Sequence, residues 1–168
     1  MLLQIDDWKF DIDMARTMEY SAAEAADHCD CAYCRNFYAA VDVAYPGLRE
    51  FLAEFGIHIE APEELMPFTA TNILCAYAIE GKILQFGNPI MRFGDISIYA
   101  ENPDTAMVPV HQVKMPYFIL WVGPMDLPWV LEEPLIEEEI VSPANQPSFL
   151  KRMWNRLFGK TGKSDILS

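Results

Sequence analysis

Residues 3–14 alternate between apolar and polar positions, with the period of two that is typical of a half-buried β-strand. The alternation is strict over residues 8–14, and it changes phase at the adjacent aspartates Asp6 and Asp7. The pattern therefore predicts two short strands separated by a turn or a bulge at these aspartates.

A helical pattern follows. The alanine-rich segment 21–28 predicts a short helix, with Ser21 and Glu24 at the spacing of a capping box. From residue 32, apolar side chains recur at steps of three and four. Pro46 interrupts this stripe, because proline cannot continue a helix but can open the next one. Residues 32–56 are therefore predicted to form two linked helices, or one kinked helix.

The rest of the chain up to residue 123 contains strand-like apolar runs that are separated by Gly and Pro. Such closely spaced runs favour an antiparallel meander. The order of strand, helices and further strands predicts an α+β fold, in which an antiparallel sheet of about five to seven strands packs against the helical segment 32–56. The predicted runs are 71–81, 82–86, 94–101, 106–113 and 117–123.

The pattern changes again near the C-terminus. We expect one domain over residues 1–135, an acidic, proline-bearing linker over 136–147, and a basic amphipathic helix and tail over 148–168. A helix of about ten residues is unstable alone, so it should pack on its own domain or on a sister chain; docking on a membrane surface or on a partner is the alternative. Its predicted apolar face consists of Phe149, Leu150, Met153, Trp154, Leu157 and Phe158.

The net charge of the chain argues against some classes of function. The 168 residues carry a net charge of −13. Residues 1–147 hold seven Lys/Arg and 24 Asp/Glu, which gives −17, whereas residues 148–168 hold five Lys/Arg and one Asp, which gives +4. An acidic body repels phosphate backbones, so we expect no nucleic-acid binding. It would attract a cationic protein partner, although acidic surfaces also serve solubility alone.

Candidate chemistry is concentrated at His28, Cys29, Cys31 and Cys34. Zinc needs four ligands, and these cysteines could converge on one ion if the chain turns between two helices. Cys31 and Cys34 also form a C-x-x-C pair at a predicted helix N-terminus, which suits redox chemistry, although no βαβ unit surrounds them. The third and favoured interpretation is that the cysteines are small buried hydrophobes. The other candidates for a fourth zinc ligand are Cys75, His58 and His111.

Three segments resemble a family of small uncharacterised bacterial proteins. The sequences are CDCAYCRNF, YPGLREFLAEFGI and ILWVGPMDLPWVLEEPL. In that family a C-x-C-x-x-C-x-N-[FW] segment precedes a helix, and a strand leads into a late LPWVL-[DE]-E-P segment. The resemblance covers roughly residues 1–135 and implies a cytoplasmic bacterial protein, with no particular reaction.

No nucleophile elbow, P-loop or dinucleotide-binding glycine motif occurs in the sequence, and no catalytic residue is assigned. The N-terminus lacks the regions of a signal peptide, so we expect a cytoplasmic protein with reduced cysteines. Two functions remain open. The favoured one is a non-enzymatic binding or accessory protein with an acidic surface, similar in role to an inhibitor or immunity protein. The alternative is a zinc- or thiol-dependent protein, even an enzyme, built on the 28–34 cluster.

Overall fold

The computed structural model describes residues 1–27, 29–69, 71–87, 91–106, 108, 110 and 113–134. This part of the chain forms an antiparallel sheet of seven strands and four helices, which confirms the predicted α+β class. The elements are β1 (Leu2–Ile5), β2 (Trp8–Ile12), α1 (Met14–Ala26), α2 (Ala32–Ala44), α3 (Leu48–Ala53), β3 (Glu64–Pro67), β4 (Asn72–Gln85), β5 (Met91–Phe93), β6 (Ile96–Glu101), α4 (Pro103–Ala106) and β7 (Tyr117–Asp126).

The long strand β4 organises the sheet. The strand order is β1-β2-β4-β7-β6-β5, and β3 also pairs with β4. β7 and β3 both pair with residues 73–76 of β4, so they lie on opposite edges of that strand. β2 pairs with residues 81–85, at the other end of β4. Residues 73–80 of β4 are all buried. The odd-numbered side chains from Ile73 to Ile79 lie in the hydrophobic cluster on one face of the sheet, and the even-numbered ones from Leu74 to Ala78 lie in a cluster on the other face, so this segment is apolar without alternation.

The main core lies between one face of the sheet and helices α2 and α3. Phe10 of β2 is fully buried at its centre, stacked on Phe118 at 5.2 Å between ring centroids and edge-on to Phe55 at 5.5 Å. Apolar positions three and four apart on the helices face these rings, as an amphipathic stripe requires. The helical side chains in this core are Phe37, Ala40, Val41, Leu48 and Leu52.

The opposite face of the sheet holds a smaller cluster around Trp121, which is 1% exposed. Alternate residues of β4 and β7 point to this face, and Ala106 of α4 covers them. Both faces of the central strands are therefore removed from water. The strand residues that share this cluster are Leu74, Ala76, Ala78 and Ile119.

The first helix begins earlier than the sequence suggested. The strand alternation ends at Ile12, and Asp13 caps α1 by accepting a hydrogen bond from the backbone N–H of Arg16 at 3.3 Å. The predicted capping box at Ser21 was wrong. Ser21 lies within α1, is 3% exposed, and accepts a hydrogen bond from the backbone N–H of His58 at 2.7 Å.

The predicted pair of helices over 32–56 is confirmed as α2 and α3. An ion-pair cluster joins them, because Arg49 of α3 lies 2.7 Å from a carboxylate oxygen of Asp42 in α2 and 2.5 Å from one of Glu60. Hydrogen bonding to Arg49 lowers the pKa of the Glu60 carboxyl, although partial burial acts against this shift. The cluster fixes the turn between the two helices.

Three strand predictions need correction. The runs 71–81 and 82–86 form the single strand β4, because Gly81 continues the pairing with β2. β3 and β5 were not predicted. The predicted strand 106–113 is wrong in its described part, where Ala106 ends α4 and residues 108, 110 and 113 are in no strand. The predicted linker and C-terminal helix lie outside the described residues.

Candidate metal centre

Three cysteine sulfur atoms converge in the turn before α2. The Sγ atoms of Cys29, Cys31 and Cys34 all lie within 4.8 Å of one another. Cys29 and Cys31 are exposed, whereas Cys34 is 7% exposed. In a tetrahedral zinc site with Zn–S bonds near 2.3 Å, the sulfur atoms are roughly 3.8 Å apart. A small contraction of this turn would therefore bring all three sulfurs to bonding distance of one ion.

The start of α2 sets the positions of Cys31 and Cys34. Cys31 is the N-cap residue in extended conformation, and its carbonyl oxygen accepts the first helical hydrogen bond, from Arg35 N–H at 2.9 Å. The helix then places Cys34 one turn later on the same face. Cys29 returns to the pair because its Sγ accepts a hydrogen bond from the backbone N–H of Cys31 at 3.5 Å.

The surroundings of the exposed Cys31 and the buried Cys34 shift the pKa values of the two thiols in opposite directions. Partial burial alone would raise the pKa of the Cys31 thiol, but the backbone N–H of Cys34 and the Cys29 and Cys34 thiols, with a smaller contribution from the Tyr33 N–H, outweigh it and lower this pKa. Cys31 makes no side-chain capping hydrogen bond at the start of α2, so these N–H groups favour its thiolate electrostatically. Burial raises the pKa of Cys34, and the Cys31 and Cys29 sulfurs raise it further. Cys31 therefore loses its proton more readily than Cys34 and is the more easily formed thiolate of the two.

Tyr38 adds a polar group beside the cluster. It follows Cys34 by one helical turn, and its ring packs edge-on against Phe37 with centroids 5.6 Å apart. Burial raises the pKa of the Tyr38 hydroxyl, and interaction with Cys34 raises it further. A neutral hydroxyl next to a sulfur can donate a hydrogen bond to it, as groups around metal-bound thiolates do.

A second segment, which we term the C-terminal clamp (residues 127–134), holds the first two turns of α2. The side chain of Asn36, 3% exposed, donates to the carbonyl oxygen of Pro128 at 3.0 Å and accepts from the backbone N–H of Val130 at 2.8 Å. The ring of Trp129 meets that of Tyr33 edge-on at 6.1 Å. Contacts made by Tyr33 and Asn36 thus flank Cys34 in sequence and fix the helix that carries it.

A hydrogen bond within the C-terminal clamp and an ion pair to α2 also hold the clamp in place. The indole Nε1 of Trp129 donates to the backbone oxygen of Glu133 at 2.9 Å, and Arg35 forms an ion pair with the Glu133 carboxylate. At the other end, Leu127 N–H donates to the carbonyl oxygen of Thr71 at 2.7 Å. The clamp is therefore tied to both the sheet and α2.

Replacing Asn36 by Ala should lower the free energy of unfolding by about 2 kcal/mol, because two polar backbone groups of the clamp lose a buried partner. This corresponds to a Tm decrease of roughly 4–8 °C for a chain of this size. Arg35→Ala is the matched control. It removes an ion pair whose side chains are both 45% exposed, so it should cost less than about 1 kcal/mol. Equal effects in urea unfolding would contradict the structural role of Asn36.

The structure separates the predicted site residues into groups. It brings Cys29, Cys31 and Cys34 together, whereas His28 lies outside the described residues. Cys75 is fully buried in the main core, where burial raises the pKa of its thiol, and it is not part of the cluster. The interpretation as small buried hydrophobes therefore suits Cys75 and, in part, Cys34, and it is wrong for the two exposed cysteines.

One of the remaining candidates, His58, does not join this site. His58 is exposed, and its backbone bonds to α1 instead. His111 lies outside the described residues, as does the whole predicted interface of the tail. Sequence reasoning missed Asn36 and Tyr38, although the late LPWVLEEP segment was noted. The structure shows that this segment contacts the CAYCRNF segment directly.

No protein-family model, curated protein or solved structure matches the chain. The resemblance described from the sequence therefore stays an expectation. In the described part of the chain, none of the helices has the length and apolar character needed to cross a membrane.

Proposed function

We propose that this protein binds a thiophilic metal ion, with zinc as the first candidate, through Cys29, Cys31 and Cys34. The observation that carries the proposal is the convergence of three sulfur atoms within 4.8 Å at a surface turn. Thiolates are strong ligands for zinc, and the local N–H groups already favour one thiolate in the set. The three cysteines supply metal–sulfur bonds, and the proposal assigns no reaction to the site.

Titration of the reduced, metal-free protein with Co²⁺ tests the proposal. We expect an intense thiolate-to-cobalt absorption band that saturates at one equivalent and disappears when zinc is added. Protons should be released on binding, because the thiols must lose them. A protein that stays colourless under anaerobic, reducing conditions and binds no zinc would refute the proposed function.

A thiol–disulfide function is the second candidate. It is favoured by one observation, namely that the readier thiolate, Cys31, is exposed and lies within 4.8 Å of the buried Cys34 sulfur. Incubation in glutathione buffers would show a reversible Cys31–Cys34 disulfide, with a potential between about −270 and −120 mV as in catalytic dithiols. Formation of this disulfide in a protein that binds no metal would favour the second candidate.

The role of an acidic binding or accessory protein stays a prediction, and it is compatible with a metal site. The reduced cysteines that both candidates need are typical of the cytoplasm, so we propose that compartment. A protein partner would be recognised by its positive charge, because residues 1–147 carry −17. Packing of the basic tail on this acidic domain, rather than on a membrane surface, also stays a prediction.

A further inference from the structure

The helix that carries Cys34 is held in place by contacts that need no metal. Asn36, next but one to Cys34, bonds to the clamp at 2.8 and 3.0 Å, and Phe37 is fully buried in the main core. In small zinc domains the binding energy of the ion is the folding energy. Here the sheet and α2 bury a core of their own, so the ligand turn is positioned by the fold rather than by an ion.

The ligand set is open within the described part of the chain, where only three groups of ligand type share the cluster and two of them are exposed. Structural zinc sites are closed by four protein ligands, whereas a site with three protein ligands keeps a position for another molecule. Because Cys29 and Cys31 face solvent, that molecule can approach the ion from outside.

We propose that the site holds an exchangeable ion, with an external thiol as the fourth ligand, and not a permanent structural zinc. This inference rests on the proposed metal-binding function. The ligand class is a thiophilic ion presented to, or taken from, a low-molecular-weight thiol or a cysteine of another protein. The fold would then serve as a rigid holder from which the ion can be transferred.

The exchange is a ligand substitution and involves no oxidation or reduction. The external thiol loses its proton to solvent, and its sulfur forms a bond to the ion at the open position. As the ion leaves, its bonds to the three cysteine sulfurs break, and these thiolates regain protons from solvent according to the pH. The incoming sulfur remains bound to the departing ion, whose charge does not change.

Zinc release from the full-length, zinc-loaded protein to a chromogenic chelator tests this inference. We expect the release rate to rise in proportion to the concentration of added glutathione. The metal-free protein should still unfold in a single cooperative transition, because the fold does not depend on the ion. Any rise in Tm on zinc loading then reflects mass action alone, and it is limited because three ligands so close in sequence can also bind zinc in the unfolded chain.

Two results would overturn the inference while leaving the metal-binding function intact. One is slow release that does not respond to glutathione, together with a metal-free protein that shows no cooperative unfolding. The other is slow release in the natural sequence that becomes fast in His28→Ala, which would identify His28 as a fourth, closing ligand. A protein that binds no zinc at all would overturn both the function and this inference.

Discussion

Replacing Gly81 by Ala is expected to lower the free energy of unfolding by roughly 2–6 kcal/mol, the sum of backbone strain and steric overlap. Gly81 has φ of +152°, a conformation that residues with a side chain rarely adopt. A methyl group there would overlap the backbone carbonyl oxygen of Asp11 and lie 3.0 Å from the Cα of Ile12. Neither neighbour can yield like a flexible side chain, since both belong to the paired strand β2.

The loss would affect the whole sheet because β4 changes partners near this residue. β3 pairs with the first half of β4, and β2 pairs with it from Gly81 onward. Gly81 N–H also donates to the carbonyl oxygen of Pro116 at 2.8 Å. Separation of β2 would expose Phe10, the ring at the centre of the main core. Since a domain of this kind is stable by about 5–15 kcal/mol, Gly81→Ala would remove a large part of that margin.

Gly94→Ala is the matched control. Gly94 also has a positive φ, of +61°, but no atom lies within 4 Å of the position its Cβ would take. Gly94→Ala should therefore lower the free energy of unfolding only by the strain of the left-handed conformation, about 1–2 kcal/mol. Urea unfolding of the two variants measures the difference. Similar destabilisation by both would show that steric overlap at Gly81 does not control the sheet.

Local sequence patterns predicted those elements whose stabilising contacts are close in the chain. The apolar stripe over residues 32–56 predicted both helices correctly, because its periodicity is local and Pro46 separates the two helices. β3 was not predicted because its four residues end in proline and carry little alternation. Its strand conformation depends on pairing with residues 73–76, which a local pattern does not contain.

The candidate metal site also combines a part that local sequence predicts with a part that depends on residues distant in the chain. The C-x-C-x-x-C spacing was sufficient to predict a candidate zinc site, because a helix starting at residue 32 places Cys31 and Cys34 one turn apart. The anchoring of that site could not be predicted, since Asn36 and Val130 are 94 positions apart in the chain. Their hydrogen bond is a consequence of the way β7 ends beside α2, which requires the folded sheet.

The largest effect on metal binding is expected from replacing Cys34 by Ser. The apparent binding free energy of structural zinc is about 10–16 kcal/mol for four ligands, so one thiolate contributes roughly 2.5–4 kcal/mol. Loss of one of three cysteine ligands should therefore weaken zinc binding by about 10²- to 10³-fold. Cys31→Ser should have an effect of similar size, because serine remains protonated where cysteine supplies a thiolate. Competition with a chelator of known zinc affinity measures both.

Cys75→Ala provides the control for this series, because it removes a cysteine that is fully buried in β4 and is not part of the cluster. Its zinc affinity should equal that of the natural sequence, even though loss of the buried sulfur lowers stability by about 1 kcal/mol. Cys34 is itself 7% exposed, so Cys34→Ser also carries a folding cost. Cys31→Ser separates the two effects, since its exposed side chain can be changed with little loss of stability. If Cys31→Ser retains full zinc affinity, the three-cysteine site is wrong; if Cys75→Ala loses it, the ion binds elsewhere.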